Sequence, residues 1–437
     1  MNITKVLAII LLLVSLAWPQ QAMSKVDRGR ALDILKTVGD DVRKHYYDPK
    51  FHGVDWDAKV AEAKAKIEKE TSFNMAMSHI AAALDALNDT HTFFVPPMHA
   101  YRHDYGFEYQ MISNRCFVMH VRPGRDAEAK GIKPGDEILT INGFDVNRDD
   151  FWKIYYVFWV LRPQATLHLT LADPGGSQRQ VEVVAKIREK KRVTDLTWEN
   201  DLSDIWNLVR EAEAEEHLTR ARWVEYGDQL TVLKLPEFSY LSASEVDGMV
   251  ARARKRPDLI IDLRGNPGGV ADTLRYLVGG MFDKEMKIAD LMGRKGKKTE
   301  IAKPLHDTYQ GKLVVLVDSK SASAAEIFAR TIQLEKRGVV MGDQTAGAVM
   351  ESRYYGEQVG QDTVAFYGAS ITEADLIMSD GKSLEHTGVT PDQVLLPSPY
   401  ALANGRDPVL ARAAETMGVT ITPEQAGKAF PFEWPPE

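Results

Sequence analysis

Cysteine is almost absent from this chain of 437 residues, and the single copy, Cys116, excludes two kinds of structure. One thiol cannot form a disulfide within the chain, so no such crosslink holds the fold together. It also cannot supply the several thiolates of a structural zinc site, and the chain contains no His-Glu-x-x-His sequence. The sequence therefore predicts no metal site.

An excess of positive charge is also absent. The 54 lysines and arginines are outnumbered by 62 aspartates and glutamates, which gives a formal net charge of −8. Nucleic-acid-binding domains normally present a basic face, so this composition argues against a nucleic-acid partner. With 44% hydrophobic and 27% charged residues, the chain has the composition of a soluble globular protein.

Long hydrophobic runs are absent except near the N-terminus. That one run, Val6 to Trp18, follows a lysine and precedes a short stretch of small residues. This layout is typical of a secretory signal peptide, assigned here to residues 1–24 with cleavage after Ala22 or Ser24. The rival interpretation is an uncleaved anchor, but a membrane-spanning helix needs about 20 apolar residues. We expect an exported protein, periplasmic or secreted, with no stable membrane span after signal cleavage.

Residues 25–98 show the periodicity of helices. Apolar residues recur at three- and four-residue spacing in RALDILKTVGDDVRKHYY, WDAKVAEAKAKIEKE and NMAMSHIAAALDAL. Proline and glycine in YYDPKFHGVDW separate the first two stretches. The pattern predicts an N-terminal helical domain that ends in LNDTHTFFVPP.

Residues 100–195 change to short β-rich runs bounded by Pro and Gly, such as CFVMHVRPG and ATLHLTLADPGG. Between them, DAEAKGIKPGDEILTINGFDV resembles the most recognisable stretch of a PDZ domain. The resemblance implies that YGFE, residues Tyr105, Gly106, Phe107 and Glu108, is the loop that takes the terminal carboxylate of a peptide. This loop departs from the commoner Gly-Leu-Gly-Phe pattern.

A linker with a charged helical stretch is expected at 196–225, and the largest domain follows at 226–400. Buried apolar runs alternate there with amphipathic helices, which indicates an α/β layer with a largely buried sheet. The expected strands are QLTVLKLP, LIIDLRG, KLVVLVDS, RGVVMGD and DTVAFYGASI. Residues 401–437 are expected to form a closing helix, in DPVLARAAETM, and an extended tail, FPFEWPPE.

Two turns in this domain offer chemistry, and each has a plain structural interpretation. The glycine-rich turn from Gly265 to Gly269 ends a buried strand; it fits neither a P-loop nor G-x-G-x-x-G, so alone it predicts only a tight turn. Its glycines would still let backbone amides approach a developing negative charge. Ser323 begins a helix at S-A-A-E, which matches a capping box with Glu326. The same serine, at the positive end of a helix, is a candidate nucleophile if a base lies nearby.

The two turns occur in the order DLRGNPGG and then VVLVDSKSASAAEIF, which resembles the C-terminal-processing and tricorn-type serine peptidases. The PDZ-like stretch and the helical segment YYDPKFHGVDWD strengthen this resemblance, which covers nearly all of the mature chain. It implies a crotonase-like α/β peptidase core with an N-terminal helical domain and an inserted PDZ domain. It also implies that Ser323 is the nucleophile and that Ala324, with Gly268 or Gly269, forms the oxyanion hole.

The two branches of this family differ in the residue that serves as the general base. In the C-terminal-processing branch a lysine follows the serine by 25 residues, but this sequence has Ala348 there, so a serine–lysine dyad is excluded at that site. The tricorn-like branch uses a histidine and a glutamate instead. The motif NDTHT supplies His91, and SLEHTGVTPD supplies Glu385. Asp89 and Thr90 are candidates for supporting the histidine, whereas His386 is a rival base.

The resemblance therefore predicts an exported serine endopeptidase that needs no cofactor. Its partners would be protein or peptide substrates, unfolded or presented through free C-termini, and a homo-oligomer is a further possibility that relatives suggest. Two other classes of function stay open. The interphotoreceptor retinoid-binding protein has the same core fold without proteolysis, so this chain could be an inert binding protein. The PDZ domain could also act as an adaptor beside an inert core.

Overall fold

The computed structural model describes residues 23–97, 101–189, 218–359 and 365–435. The predicted signal peptide, residues 1–24, lies outside these ranges except for its last two residues, Met23 and Ser24. Of these, Ser24 caps the first helix by accepting from the Asp27 N–H, and the N–H of buried Met23 donates to the Thr71 carbonyl. None of the helices in the described ranges combines the length and the hydropathy needed to cross a lipid bilayer.

Three helices form the N-terminal domain, as the periodicity predicted. Their bounds are α1 (Lys25–His45), α2 (Trp56–Ile67) and α3 (Phe73–Asp85), with a 3-10 turn at Phe51–Gly53. Asp55 caps α2 by accepting from the Ala58 N–H, as expected of a short acidic side chain at that position. The apolar faces of the three helices share one core with residues of the last long strand, among them Ile371.

The module predicted as a PDZ domain is an antiparallel sheet with one aromatic helix beside it. Its sheet order is β3-β4-β5-β7-β8, β6 pairs with β5, and β2 pairs with β9. The strands are β2 (Tyr101–Asp104), β3 (Phe107–Ile112), β4 (Arg115–Val121), β5 (Glu137–Ile141), β6 (Phe144–Asp145), β7 (Thr166–Ala172), β8 (Gln178–Val184) and β9 (Lys186–Glu189). The helices are α4 (Asp126–Ala129) and α5 (Phe151–Tyr155), which continues as a π-helix at Tyr156–Leu161.

The core sheet has the order β10-β11-β12-β15-β16-β19, and all of its pairs are parallel except β10 with β11. The strands are β10 (Arg222–Tyr226), β11 (Leu230–Lys234), β12 (Asp258–Asp262), β15 (Lys312–Val317), β16 (Val339–Gly342) and β19 (Gln393–Val394). Since β10 begins at Arg222, the end of the predicted linker belongs to this sheet. The charged helical stretch expected at 208–222 lies mostly outside the described residues.

Helices cover both faces of the core sheet because side chains alternate along each strand. Leu259 and Ile261 of β12 join one hydrophobic cluster, whereas Ile260 between them joins another. The covering helices are α6 (Ala243–Ala253), α7 (Ala271–Met281) and α8 (Ala324–Leu334) on the first face, and α10 (Pro408–Thr416) and α11 (Pro423–Gly427) on the second, with α9 (Pro399–Ala403) before them. The helix predicted in DPVLARAAETM is α10.

A second, antiparallel sheet corrects one expectation. DTVAFYGASI was expected in the α/β layer, but its described part opens β18 (Ala365–Met378), which pairs with β1 (Phe93–Val95), β13 (Met286–Gly293) and β17 (Met350–Val359). β14 (Gly296–Ala302) continues this sheet beside β13. The long pairing with β17 takes the strand away from the parallel layer. It also brings the N-terminal domain to the core, because β1 follows α3 and lies against β18.

The PDZ module contacts the core through charged groups. Arg148, after β6, lies 3.2 Å from Asp343 and donates to the carbonyl groups of Gln344 and Thr345. The Ser113 N–H donates to Asp343 at 2.7 Å. These contacts join the module to the loop that follows β16.

The C-terminal segment connects the core with the PDZ module. Arg222, on the edge strand β10, donates to the Pro431 carbonyl at 3.0 Å. The next ring, Phe432, stacks on His120 of β4 with 3.9 Å between ring centroids. The described part of this segment, to residue 435, contains no helix or strand after α11.

Candidate active site

Ser323 lies in the turn between β15 and α8, where its backbone has φ 51° and ψ −117°. A residue with a Cβ pays of order 1–3 kcal/mol to adopt such a conformation. The Ser323 side chain makes no cap hydrogen bond to the helix. Its backbone N–H donates to the Ala348 carbonyl at 2.9 Å. Glu326 accepts from the Ser323 N–H, so the half of the predicted capping box that uses the glutamate is formed.

Glu326 reaches back from the first turn of α8 and is fully buried. Its Oε2 accepts from the N–H groups of Ser323 at 3.1 Å and Ala348 at 3.0 Å. Its Oε1 accepts from the Gly347 N–H at 2.8 Å and from the Thr345 hydroxyl. Burial raises the pKa of Glu326 to about 7, although these four donors favour the ionised form. One carboxylate thus fixes the serine turn to the loop after β16.

Asp89 shapes the loop that carries His91. Its Oδ1 accepts from the N–H groups of His91 and Thr92, each at 2.9 Å. The same oxygen accepts from the Thr372 hydroxyl of β18 at 2.7 Å. Asp89 therefore acts on the backbone of the loop and fastens it to the second sheet, rather than orienting the histidine ring.

Thr90 joins Glu385 to the ring of His91. The Thr90 hydroxyl donates to Glu385 Oε2 at 2.9 Å and lies 2.9 Å from His91 Nδ1. Since its hydrogen is directed at the carboxylate, its oxygen accepts the Nδ1–H, which leaves Nε2 unprotonated. Glu385 also accepts from the N–H groups of Thr90 at 2.8 Å and Val349 at 3.0 Å. Burial is the main reason that the pKa of Glu385 is raised.

His91 and Ser323 line the same cavity, which has a volume of about 470 Å³. His91 enters from the loop before β1, and Ser323 enters from the start of α8. Burial lowers the pKa of His91 below its ordinary 6.5, more than the charge of Asp89 raises it. The ring is therefore neutral at neutral pH, which is the form that a general base requires.

The glycine-rich turn lies directly against the serine. A Cβ at Gly268, where φ is 100°, would lie only 2.7 Å from the Ser323 Cβ. The Gly268 N–H donates to Asn266 Oδ1 at 2.8 Å, so this amide is already used. Among the hydrogen bonds of the described residues, the N–H groups of Gly269 and Ala324 donate to no protein acceptor. Both of these residues line the cavity with Ser323.

His386, the rival base, points to another part of the loop. Its Nε2 lies 2.9 Å from the Asn88 carbonyl oxygen and 3.6 Å from Glu385 Oε1. Its side chain is 47% exposed, and it is not among the residues that line the cavity around Ser323. Of the two histidines, His91 lines the cavity with Ser323 and His386 does not.

The loop predicted to bind a peptide carboxylate is engaged by its own chain. Tyr105 is buried, and its hydroxyl donates to the Gln164 carbonyl at 2.6 Å. The Gly106 N–H donates to Asp104, and Phe107 is buried in the module's core. Glu108 lies 3.9 Å from Lys320, near the serine turn.

The sequence did not identify the residues that form the walls of this cavity. They come from α7, α8 and the second sheet, so no local pattern marks them. The apolar members are Leu274, Ile288, Leu291, Ile327, Met350 and Leu376, and the charged ones are Arg275, Lys298, Glu300 and Glu351. Glu326 and Asn266 were also missed as site residues. Glu326 had a signal in its capping-box spacing, whereas Asn266 had none beyond its place in the turn.

Two family models match the chain. The model described as peptidase family S41 matches residues 229–395, and the model of the PDZ domain matches residues 98–148. The first range contains Ser323, Glu385 and the glycine-rich turn. His91 lies outside both ranges.

The proteins similar to the chain include two curated relatives and one solved structure. The "Putative tricorn protease homolog 2" of Streptomyces coelicolor is 24% identical over 404 residues, which is 85% of this chain but only 31% of that relative. The "C-terminal processing peptidase, chloroplastic" of Tetradesmus obliquus is 25% identical over 378 residues, 82% of this chain and 75% of that relative. The structure of mature CPAF complexed with lactacystin superposes with a TM-score of 0.63 at 15% identity, covering 87% of this chain and 96% of that chain. At this identity the likeness concerns the fold alone.

Proposed function

Because the chain carries a peptidase family S41 domain and a PDZ domain, as its motifs predicted, we propose that it is a serine peptidase that uses Ser323 as nucleophile and His91 as general base. One observation carries the proposal. His91 and Ser323 line one cavity, while Thr90 and Glu385 hold the histidine with Nε2 available. Acyl transfer requires a nucleophile, a base and an orienting group, and these residues would supply all three.

The proposed reaction begins when Ser323 Oγ attacks the carbonyl carbon of a peptide bond. His91 Nε2 takes the serine proton as the carbon–oxygen bond forms, and the carbonyl oxygen becomes an oxyanion. The N–H groups of Gly269 and Ala324 are the donors that would stabilise it. When the carbon–nitrogen bond breaks, His91 gives its proton to the leaving amine. Water then attacks the acyl-enzyme by the same steps, and Ser323 regains its proton.

The surroundings of His91 suit both of its protonation states. Burial keeps the ring neutral before attack, because the charged form is poorly solvated there. Once the ring takes the proton, its positive charge is stabilised through the Thr90 hydroxyl by the Glu385 carboxylate. Glu385 itself is held by two backbone N–H groups, so it does not have to reorganise during the reaction.

The proposed substrates are proteins, cleaved as an endopeptidase would in unfolded segments or near chain ends. The names of the tricorn homolog and the C-terminal processing peptidase support this class. We further propose export on the basis of the N-terminal pattern, with cleavage after Ala22. That position keeps Met23 and Ser24, which the folded domain uses.

The test is hydrolysis of casein by the mature protein and three variants. We expect Ser323→Ala and His91→Ala each to lose at least about 100-fold in rate, the scale of removing a catalytic group. His386→Ala is the matched control and should stay within about threefold of wild type. Full activity in Ser323→Ala would refute the mechanism. An inert wild type that still binds peptides would instead favour the binding-protein interpretation.

A further inference from the structure

The carboxylate of Asp104 lies at the loop that was predicted to bind the terminal carboxylate of a peptide. β2 ends at Asp104 and β3 begins at Phe107, so this loop is the connection between them. Asp104 Oδ1 accepts from the Gly106 N–H at 2.9 Å. A Cβ at Gly106, where φ is 76°, would lie 2.3 Å from the Arg125 Cβ, so the arginine packs directly on the loop. The amide at the centre of the loop already binds a carboxylate of the chain itself.

Two arginines complete the surroundings of this carboxylate. Asp104 Oδ2 accepts from Arg122 Nη1 at 3.0 Å and from Arg125 Nε at 3.1 Å. The three side chains are 10–19% exposed, so the ion pairs are shielded from water. Burial alone would raise the pKa of Asp104, but the Gly106 amide and the arginines outweigh it and lower that pKa. One backbone amide and two cations are the donors that a peptide's carboxylate would need.

Aromatic rings fill the space between β3 and the helix beside it. Tyr109 of β3 contacts Phe151 at 5.5 Å and Trp159 at 5.2 Å between ring centroids. Tyr105 contacts Trp159 at 5.3 Å. Tyr105 and Tyr109 are both buried. The side chain of a peptide's last residue would have to displace these rings in order to lie between β3 and α5.

Arg122 also contacts the C-terminal segment of the chain. Its Nη2 donates to the Pro435 carbonyl at 2.6 Å, and its guanidinium lies 5.3 Å from the Trp434 ring. Arg122 therefore binds an internal carboxylate with one nitrogen and a main-chain carbonyl with the other. The arginine that could attract a substrate's C-terminus is already paired on both sides.

From these contacts we infer that the PDZ module does not bind the C-terminal carboxylate of a substrate, because the Asp104 carboxylate occupies its place. The enzyme then selects internal, unfolded segments and is indifferent to how a chain ends. This inference rests on the proposed peptidase function and narrows its substrate class. It also changes the role of the Tyr105–Glu108 loop from a receptor to an internally bonded connection.

The test compares two fluorescein-labelled decapeptides of one sequence, with an apolar last residue that ends in a carboxylate or in an amide. For wild type we expect the two kcat/KM values to agree within about twofold. The same pair is titrated against full-length Ser323→Ala protein by fluorescence anisotropy, which needs no turnover. Failure of cleavage would therefore count against the proposed function, while the binding comparison would still decide this inference. A preference of tenfold or more for the carboxylate would overturn it.

Asp104→Ala, made in the Ser323→Ala protein, tests the cause. Removing the carboxylate leaves the Gly106 N–H without its acceptor and removes the negative charge beside Arg122, so we expect at least a tenfold preference for the carboxylate peptide. Asp173→Ala is the matched control, since Asp173 accepts from the N–H groups of Gly175 and Ser177 in a turn of the same module. If Asp104→Ala does not fold, Asp104→Ser removes the same charge and keeps a partner for the Gly106 N–H. A folded variant without the gain would overturn the inference.

Discussion

Glu385 and His91 are joined through one hydroxyl, because Thr90 Oγ1 lies 2.9 Å from both Glu385 Oε2 and His91 Nδ1. The chain places Thr90 directly before His91, so the backbone brings the hydroxyl to the ring. Glu385 approaches from the loop after β18. In the proposed mechanism, the group that orients the histidine is thus a threonine held by a carboxylate, rather than the carboxylate itself.

Removing that hydroxyl should impair catalysis without removing the base. In Thr90→Val the Nδ1–H of His91 and one oxygen of Glu385 lose their partner, and such buried groups cost about 1–3 kcal/mol when left unsatisfied. We expect kcat/KM for casein peptides to fall roughly tenfold to hundredfold. Thr90→Ser keeps the hydroxyl and should retain activity within a few-fold. Equal rates for Thr90→Val and wild type would show that the hydroxyl does not orient the base.

The histidine ring should titrate below its ordinary range. Burial lowers the pKa of His91, so the ring stays neutral until the pH falls below 6.5. The direct measurement is an NMR titration of Ser323→Ala protein with ¹³C-labelled histidine. The His91 signal is assigned by its loss in the double variant with His91→Ala. A midpoint above 7 would contradict the burial argument.

Glu326 should make stability depend on pH in a specific direction. Its folded pKa of about 7 exceeds the ordinary 4.5, so between these values the folded state binds more protons than the unfolded state. Stability contributed by this group is therefore lost as the pH rises, by roughly 3 kcal/mol in total. The unfolding free energy of Glu326→Gln, relative to that of wild type, should therefore be higher at pH 8 than at pH 5.

Urea unfolding of both proteins at pH 5 and pH 8 measures this difference. Comparing the variant with wild type cancels the contributions of the other titrating groups, because both proteins contain them. Glu62→Gln is the control, since Glu62 is an exposed glutamate paired with Lys66 on α2. For Glu62→Gln, we expect the unfolding free energy relative to wild type to differ much less between pH 5 and pH 8. A wild-type-like pH dependence in Glu326→Gln would mean that Glu326 does not carry the effect.

The backbone of Ser323 should store strain that glycine relieves. At φ 51° and ψ −117°, alanine keeps the Cβ and hence the strain, whereas glycine does not. We expect Ser323→Gly to exceed Ser323→Ala in unfolding free energy by about 1 kcal/mol, after the entropy cost of glycine is deducted. Ala251→Gly, within the regular helix α6, should instead lose about 1 kcal/mol. Calorimetry of the three variants and wild type measures both effects of glycine, the gain at position 323 and the loss at position 251.

The cavity walls predict a preference for an apolar residue before the scissile bond. The acyl half of the substrate stays attached to Ser323, and the apolar side chains Leu291, Ile327 and Leu376 line the same cavity. Burying a leucine-sized side chain contributes about 1.5–3 kcal/mol, so leucine should exceed aspartate there by at least tenfold in kcat/KM. Leu291→Asp should reduce that ratio. A peptide library that varies only the residue before the scissile bond measures this ratio. A higher kcat/KM for aspartate than for leucine would contradict the prediction.

The sequence predicted elements better than their arrangement. Helical periodicity identified α1 to α3, and apolar runs identified β12 and β15, because each pattern lies within one element. The same reasoning placed residues 365–371 in the parallel layer, whereas β18 pairs with β17, β1 and β13. Pairing between distant strands is decided by packing that no local pattern contains.

In the candidate site, too, the sequence identified individual residues better than the contacts between them. The motifs around Ser323 and His91 brought both residues forward as candidates, but spacing could not decide whether Glu385 reaches the ring directly or through Thr90. It also left Gly268 and Gly269 as equal candidates, and the structure separates them through a bond from Gly268 to Asn266. The carboxylate of Asp104 was overlooked because its partners Arg122 and Arg125 lie beyond the next strand pair.

The contact between Ser323 and Ala348 is made by main-chain atoms, and this bears on how such enzymes evolve. The serine N–H binds the Ala348 carbonyl, and Glu326 binds the Ala348 N–H, so neither bond depends on the side chain at position 348. A lineage could therefore lose a lysine at that position, or gain one, while the nucleophile stays where it is. Replacing one proposed base by another would then require changes at position 348 and in the His91 loop, and the change at position 348 would leave both main-chain bonds of the serine turn intact.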